Sequence, residues 1–479
     1  MGRSSKSNSN KSRQQKSEKK SKSLKNYPTL LGGEQQMLND SIISDTDSLF
    51  NDASSIVSIN SNFSTNRKYQ VSDDGIVSGQ QSPDYIETND DNTIISTTNY
   101  EDSNKKLTPI DDTLAKLSDI LDELLISKRK SNRQNHLDSL IKIFQTKFIG
   151  IYLDNRKTTL QQIIESGLKK FDDDTGSIAL LLTLTIITIG NEFNDQFQSL
   201  YNLLLKIMID PSAKPSVRSK VAISLSIGCF ITDFGDEKID EILDYLLSIA
   251  LTNVRTSGGQ SLISSQLTEI NAFKALCLNL FTFLSTIADF DYVCQLIQQD
   301  INKLIKLMDS IDLDIRLSAG TTFAFLYEFY DNNDQEFDIY NLQDLKDKIM
   351  KLSNDSNKSQ SKKNLRVQRS EFRDILHTIE GNEYEMEIIK FGYEQLDIDS
   401  WRMKIYYDIF CSILGSGMNI HLAQNQTLRD IFELGSVLLD KVLISRDTRM
   451  NAKQQHVTNR KQREISRSKM RGKRGDFDY

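Results

Sequence analysis

The sequence predicts an all-α protein: a helical solenoid, a smaller helical C-terminal domain and a disordered N-terminal arm. Three observations carry this. From Asp111 onward apolar residues recur at three- and four-residue steps, the period of one helix face. Only five of the 479 residues are proline and none follows Pro215, so the second half suits helices joined by short turns. The first hundred or so residues are rich in Ser, Asn and Asp and too poor in large apolar side chains to offset their ordering entropy.

Residues 1–109 form the arm. Its first 25 residues hold nine Lys/Arg and one Glu, a local charge of +8. The remainder is acidic and Ser/Asn-rich, with no sustained period. The helical-repeat region spans 110–353. It opens with Leu114, Leu117, Leu121, Leu124 and Leu125 on one face, behind Asp111 and Asp112, whose carboxylates favour a helix start. Further helices are expected at 131–148, 157–170, 176–189, 192–209, 215–232, 236–254, 267–288, 290–308, 312–330 and 338–353. No alternating strand pattern competes over a comparable length. The longest apolar run, Ile178 to Ile189, is too short to span a bilayer and reads as a helix buried on most sides.

Two helices share a pattern. Val217-Arg218 is followed by Val221-Ala222, and Ile315-Arg316 by Ala319-Gly320. Each has an apolar residue and then Arg near its start, with small residues a turn later that let a neighbouring helix approach. That is the inner helix of armadillo and HEAT repeats, and stacked pairs are expected to offer a broad concave surface to a partner. Residues 354–364 are a polar linker. Residues 365–443 form the C-terminal helical domain, with the single tryptophan, Trp401, expected in its core.

Residues 444–479 are a basic, helical tail. Residues 441–479 carry twelve Lys/Arg against four acids, again +8, so the total of −7 leaves −23 for the body between the two ends. Arg446, Arg449, Lys453, His456, Arg460, Arg463, Arg467 and Arg471 follow steps of three and four, which place them on one helix face. At 1.5 Å per residue the stripe would extend roughly 39 Å. The opposite face offers little beyond Met450, Val457 and Met470, so this helix has no core of its own and forms fully against a polyanion. Arg446, Arg449, Lys453, Arg460, Arg463, Arg467 and Arg471 are therefore the candidate nucleic-acid-binding residues. They suit phosphate contact without base choice, and the stripe has no aromatic residue to stack on single strands. The missing Leu/Phe/Trp face argues against a membrane surface.

The remaining chemistry is sparse. Cys229, Cys277, Cys294 and Cys411 lie in apolar, helical contexts without a paired motif, the pattern of reduced, buried thiols in an intracellular protein. His136, His377, His421 and His456 have no zinc-like spacing, and no nucleophile, base and orienting acid can be nominated. Gly258-Gly259-Gln260 matches the release-factor tripeptide but reads as a loop, and Gly415-Ser-Gly417 as a helix break. There is no signal-peptide pattern, and Lys6 stands where myristoylation wants Ser or Thr. No enzyme activity, cofactor, metal or small-molecule substrate is expected. The expected location is the cytosol, the nucleus or both.

Particular residues resemble one family. Ser127-Lys-Arg-Lys130 with Arg133 and Leu137, then Arg156-Lys-Thr158-Thr-Leu160, then Val217 to Phe230, are similar to the N-terminal region of the interferon-related developmental regulators. The C-terminal motifs are more specific: Arg369-Ser-Glu371-Phe372-Arg373, Lys390-Phe391-Gly392, Asp399-Ser-Trp401, Leu414-Gly415-Ser-Gly417-Met418, His421-Leu422, Asn425, and Leu428-Arg429-Asp430-Ile431-Phe432-Glu433-Leu434-Gly435. The resemblance covers about 110–479. It implies an armadillo-type fold without catalysis, and one of two roles. One is association with ribosomes or ribosomal RNA, with repression of translation. The other is transcriptional co-regulation through chromatin complexes.

Overall fold

The computed structural model describes residues 109–437, apart from 127–129, 154, 173, 233, 253–263, 338, 340–341, 356–359 and 393. The N-terminal arm before residue 109 and the basic tail lie outside the described residues. Helices are α1 (Pro109–Ile126), α2 (Lys130–Thr146), the single turn α3 (Gly150–Leu153), α4 (Lys157–Lys170), α5 (Thr175–Ile189), α6 (Asn194–Ile209) and α7 (Pro215–Ile231). They continue as α8 (Asp236–Leu251), α9 (Ser264–Ser285), α10 (Phe290–Leu307), α11 (Leu313–Asn332), α12 (Leu342–Ser353) and α13 (Lys362–Ile379). After a hairpin, β1 (Glu387–Phe391) and β2 (Glu394–Ile398), come α14 (Trp401–Leu414), α15 (Met418–Gln424) and α16 (Gln426–Ile431).

The helices stack as pairs in series. α2, α5, α7, α9, α11 and α13 pack one on the next as an inner layer, and α1, α4, α6, α8, α10 and α12 back them. Burial follows from position. α5 is enclosed by α2, α4 and α7, and is buried almost all round from Thr175 to Thr188. α10 and α12, on the outside, bury one stripe each. By length and composition Thr175–Ile209 and Ser264–Ser285 are apolar enough to cross a membrane, but most of both segments is enclosed by other helices. A 3-10 turn at Gly190–Phe193 also breaks the first of them.

A repeat of about forty residues is written in the inner layer. Thr183 Oγ1 meets Ser224 Oγ at 2.7 Å and Thr282 Oγ1 meets Thr322 Oγ1 at 2.9 Å, 41 and 40 residues apart. The two arginines of the shared pattern do the same work. Arg218 Nε donates to Met208 O at 2.7 Å, and Arg316 Nη1 donates to Ser310 O and Ile311 O at 2.6 and 2.9 Å. Arg218 thus ties α7 to the last turn of α6, and Arg316 ties α11 to the loop that leads into it. The small residue Gly320 is required, since a Cβ there would stand 2.9 Å from the Phe372 ring and 2.7 Å from Ile375 of α13.

Two features depart from the sequence reading. The C-terminal part is not purely helical: β1 and β2 pair antiparallel from Glu387↔Ile398 to Phe391↔Glu394. Five-residue strands are too short to show a period, and the turn is made by Gly392 at φ +54°. The inner layer is also not left open as a broad surface. α14, α15 and α16 run back across it, packing on α11 and α9, then α2, then α5. One continuous core extends from Leu117 to Phe432, so the C-terminal segment shares its apolar interior with the repeats.

Candidate interaction site and its anchor

The seven candidate nucleic-acid-binding residues, Arg446 to Arg471, and the Gly258–Gln260 tripeptide lie outside the described residues. What is described is the segment that leads to the tail and fixes where it leaves the fold. Its start is pinned at α11 and α13. The Glu328 carboxylate accepts from the backbone N–H groups of Trp401 and Arg402 at 2.8 and 3.1 Å, and Ser400 Oγ accepts from Met403 N at 3.3 Å. These partners satisfy N–H groups that the first turn of a helix cannot pair internally. Trp401 is fully buried and its Nε1–H donates to Thr378 Oγ1 at 2.8 Å, so the expected core position holds.

Midway, Tyr406 and Phe410 of α14 enter an aromatic cluster with Phe230 of α7 and Phe283 of α9. The Tyr406 hydroxyl lies 2.8 Å from Thr286 Oγ1. Beyond it the chain supplies donors to helix C-termini whose last carbonyls have no internal partner. His421 Nε2 donates to Phe144 O at 2.9 Å at the end of α2, and Asn425 Nδ2 to Ile187 O at 2.8 Å at the end of α5. Gln145 Nε2 returns the favour to Ile413 O at 2.7 Å. Burial lowers the His421 imidazole below its usual range, although its backbone partners pull the other way. The neutral ring serves as a structural donor.

Arg429 closes the anchor. Its side chain is 1% exposed, yet every one of its five N–H donors is used. Nη1 and Nη2 grip the Glu394 carboxylate of β2 at 2.9 and 2.7 Å. The remaining bonds go to Leu422 O at 3.0 Å, Leu434 O at 3.1 Å and Gly435 O at 2.8 Å. One residue thus binds the hairpin, the end of α15 and the last described turn. Val437 N then donates to Gln426 Oε1 at 3.1 Å, and the chain continues toward the basic stripe.

A cavity of about 50 Å³ lies where α14 meets α9, α11 and α13, lined by Asn279, Thr282, Asp314, Glu371, Lys404 and Asp408 among others. Burial works against the Lys404 ammonium, but Asp408, 2.8 Å away, and Glu371 outweigh it and hold the ammonium charged. Burial and then the neighbouring Asp312 push the Asp314 carboxyl up to about 7. Cys229, Cys277 and Cys294 are buried free thiols, Cys411 is half-buried, and burial raises all four. Among the described residues no group of three His, Cys, Asp or Glu side chains is placed to hold a metal ion. His136 is half-buried on α2 and His377 is exposed on α13. Gly415 ends α14 with φ +54°, as the helix break read from the sequence requires.

The fold and its anchor define an α-solenoid of stacked helix pairs whose inner layer is crossed by its own C-terminal segment. The sequence model described as Interferon-related developmental regulator (IFRD) matches residues 87–380, and that described as Interferon-related protein conserved region matches 425–475. Mouse interferon-related developmental regulator 2 is 31% identical over 363 residues, covering 74% of this chain and 81% of that protein. The pig and human forms of regulator 1 are 37% and 36% identical over 200 residues, covering 41% of this chain and 44% of theirs, so this chain matches less than half the length of those relatives. The chain belongs to the interferon-related developmental regulator family.

Proposed function

We propose that this protein is a non-catalytic regulatory adaptor that binds ribosomes through ribosomal RNA and represses or shelters inactive translation machinery. The observation that carries the reading is the stripe from Arg446 to Arg471: eight basic side chains on one helical face, in a tail of charge +8 attached to a body of −23. Such a tail is drawn to a polyanion. The conserved-region match at 425–475 supports treating anchor and stripe as one unit, because it takes in Asn425 and Arg429 together with every residue of the stripe.

Action by this route needs no chemistry. A helix of roughly 39 Å lying in an RNA-walled channel excludes mRNA or tRNA by volume alone. The polar side chains that might have suggested catalysis are committed to the fold, as with His421 on Phe144 O and Lys404 on Asp408. The reading is tested by pelleting purified ribosomes with the full chain at rising salt. Binding should fall steeply with salt, and Arg460→Glu, Arg463→Glu, Arg467→Glu together should reduce it at least tenfold at low salt. Salt-insensitive binding that survives the triple change would remove the tail from the interaction. A nuclear co-regulator would instead retain chromatin complexes after RNase treatment and with the same three substitutions.

A further inference from the structure

The last inner helix carries a second basic stripe, which lies among the described residues. α13 buries Leu365, Gln368, Phe372, Ile375 and Ile379 against α11 and α12. The opposite side displays Lys362, Lys363, Arg366, Arg373 and His377, all exposed, with Arg369 half-exposed among them. At 3.6 residues per turn, Lys362, Arg366, Arg369, Arg373 and His377 fall within an arc of roughly 80°. They extend about 22 Å along the helix, with successive charges about 5–6 Å apart.

Several of the body's cations have a carboxylate partner. Arg429 grips Glu394, Lys404 grips Asp408, and Arg133 lies 3.2 Å from Asp174. Lys362, Lys363, Arg366 and Arg373 differ: among the described residues their side chains enter no ion pair or hydrogen bond. Arg369 Nε donates only to a backbone carbonyl, Asp355 O, at 2.5 Å. α13 has no acidic residue in its first turn, and of its two carboxylates Glu371 is buried at the cavity beside Lys404. Like charges three and four residues apart repel on a helix, so the stripe destabilises α13 until a polyanion faces it. It persists in a chain whose surface is otherwise rich in acids.

We propose that this face of α13 is a second docking surface for the phosphate backbone of folded RNA. Arg366 and Arg373 contact phosphates, and Lys362, Lys363 and Arg369 flank them. The occupant follows from charge complementarity and length: a straight, rigid row of cations suits several consecutive phosphates of one strand. No aromatic side chain lies on the row, so it positions the RNA without reading bases. The proposal shares only its class of ligand with the tail reading. It stands on a helix fixed by core packing and separated in sequence from residues 444–479.

The test is fluorescence titration of a labelled RNA hairpin with the full chain. R366E/R373E should lower affinity at least tenfold at low salt and flatten the slope of log affinity against log salt by roughly 1.5. R366K/R373K should keep the parent slope and melting temperature, and R366E/R373E should not lower the melting temperature, because both side chains are exposed and the reversal relieves repulsion along the stripe. Unchanged affinity and slope in R366E/R373E would overturn the proposal. So would unchanged RNA affinity together with lost binding to poly-glutamate, which would assign the face to an acidic protein. If R460E/R463E/R467E leaves hairpin binding intact while R366E/R373E abolishes it, the tail reading fails and this one stands.

Discussion

At the scale of single residues, the fold separates polar groups that hold it together from one that strains it. Arg429 belongs to the first kind. It appears in a motif that can be read along the chain, yet its role could not be, because Glu394, Leu422 and Gly435 meet it only after folding. Arg218 and Arg316 were more legible, since a shared local pattern marked both and each fastens its helix to the backbone just before it. Asp314 belongs to the second kind. Its carboxyl is raised from 3.8 to about 7 by burial and by Asp312, so the folded state holds a proton that the unfolded chain has released. Its contribution to stability is therefore full below pH 3.8 and is lost as pH rises through about 7, where the charged form becomes a cost. Asp314→Asn should stabilise the protein at pH 7.5 by on the order of 1 kcal/mol, a figure discounted for partial solvent access and for the lost helix-dipole contact. The gain should vanish near pH 4. Urea midpoints at the two pH values measure this, and equal midpoints for parent and variant at pH 7.5 would remove the strain assigned to Asp314.

At the scale of elements, helix existence was legible because each repeat helix turns an apolar stripe toward its neighbours over three or more turns. The predicted spans 157–170, 176–189 and 215–232 differ from α4, α5 and α7 by no more than a residue at either end. The hairpin was not legible, since its strands are five residues long and only Leu396, Ile398 and Phe391 bury apolar surface well. Nor was the return path of α14–α16. Its contacts join residues 268 and 277 positions apart, as between Gln145 and Ile413 or Phe144 and His421, and such pairings leave no periodic trace. The return path rests on a close approach at Gly417, where a Cβ would lie 1.8 Å from the Gln145 carbonyl oxygen. Backbone cannot yield as a side-chain tip does, so Gly417→Ala should push α15 off α2 at a cost of about 1–3 kcal/mol. Hydrogen exchange should then accelerate across α15 and α16 while the amides of α5, α7 and α9 keep their protection. Uniform exchange rates across all of these helices would show that the C-terminal segment is not a separately released unit.

At the scale of the whole molecule, the charge is divided between an acidic body and two basic ends, and the structure adds a fixed basic face on α13. The fold and the family were legible from helical periodicity and C-terminal motifs. The candidate tail was legible from spacing alone, because a row of charges on one helix face needs no tertiary partner to be recognised. The α13 stripe was harder to see, since Arg369 and Arg373 lie in one motif, Arg366 stands outside it, and all three look like ordinary solvated charges until the buried side of the helix is known. As proposed, residues 444–479 carry the protein onto ribosomes. This is tested most directly by sucrose-gradient sedimentation of extracts from growing and starved cells, comparing the full chain with its Arg460→Glu, Arg463→Glu, Arg467→Glu variant. The account predicts full-length protein with subunits or monosomes and the variant at the top of the gradient. Full-length protein remaining at the top in both growth states, or a variant that sediments with ribosomes as the parent does, would contradict it.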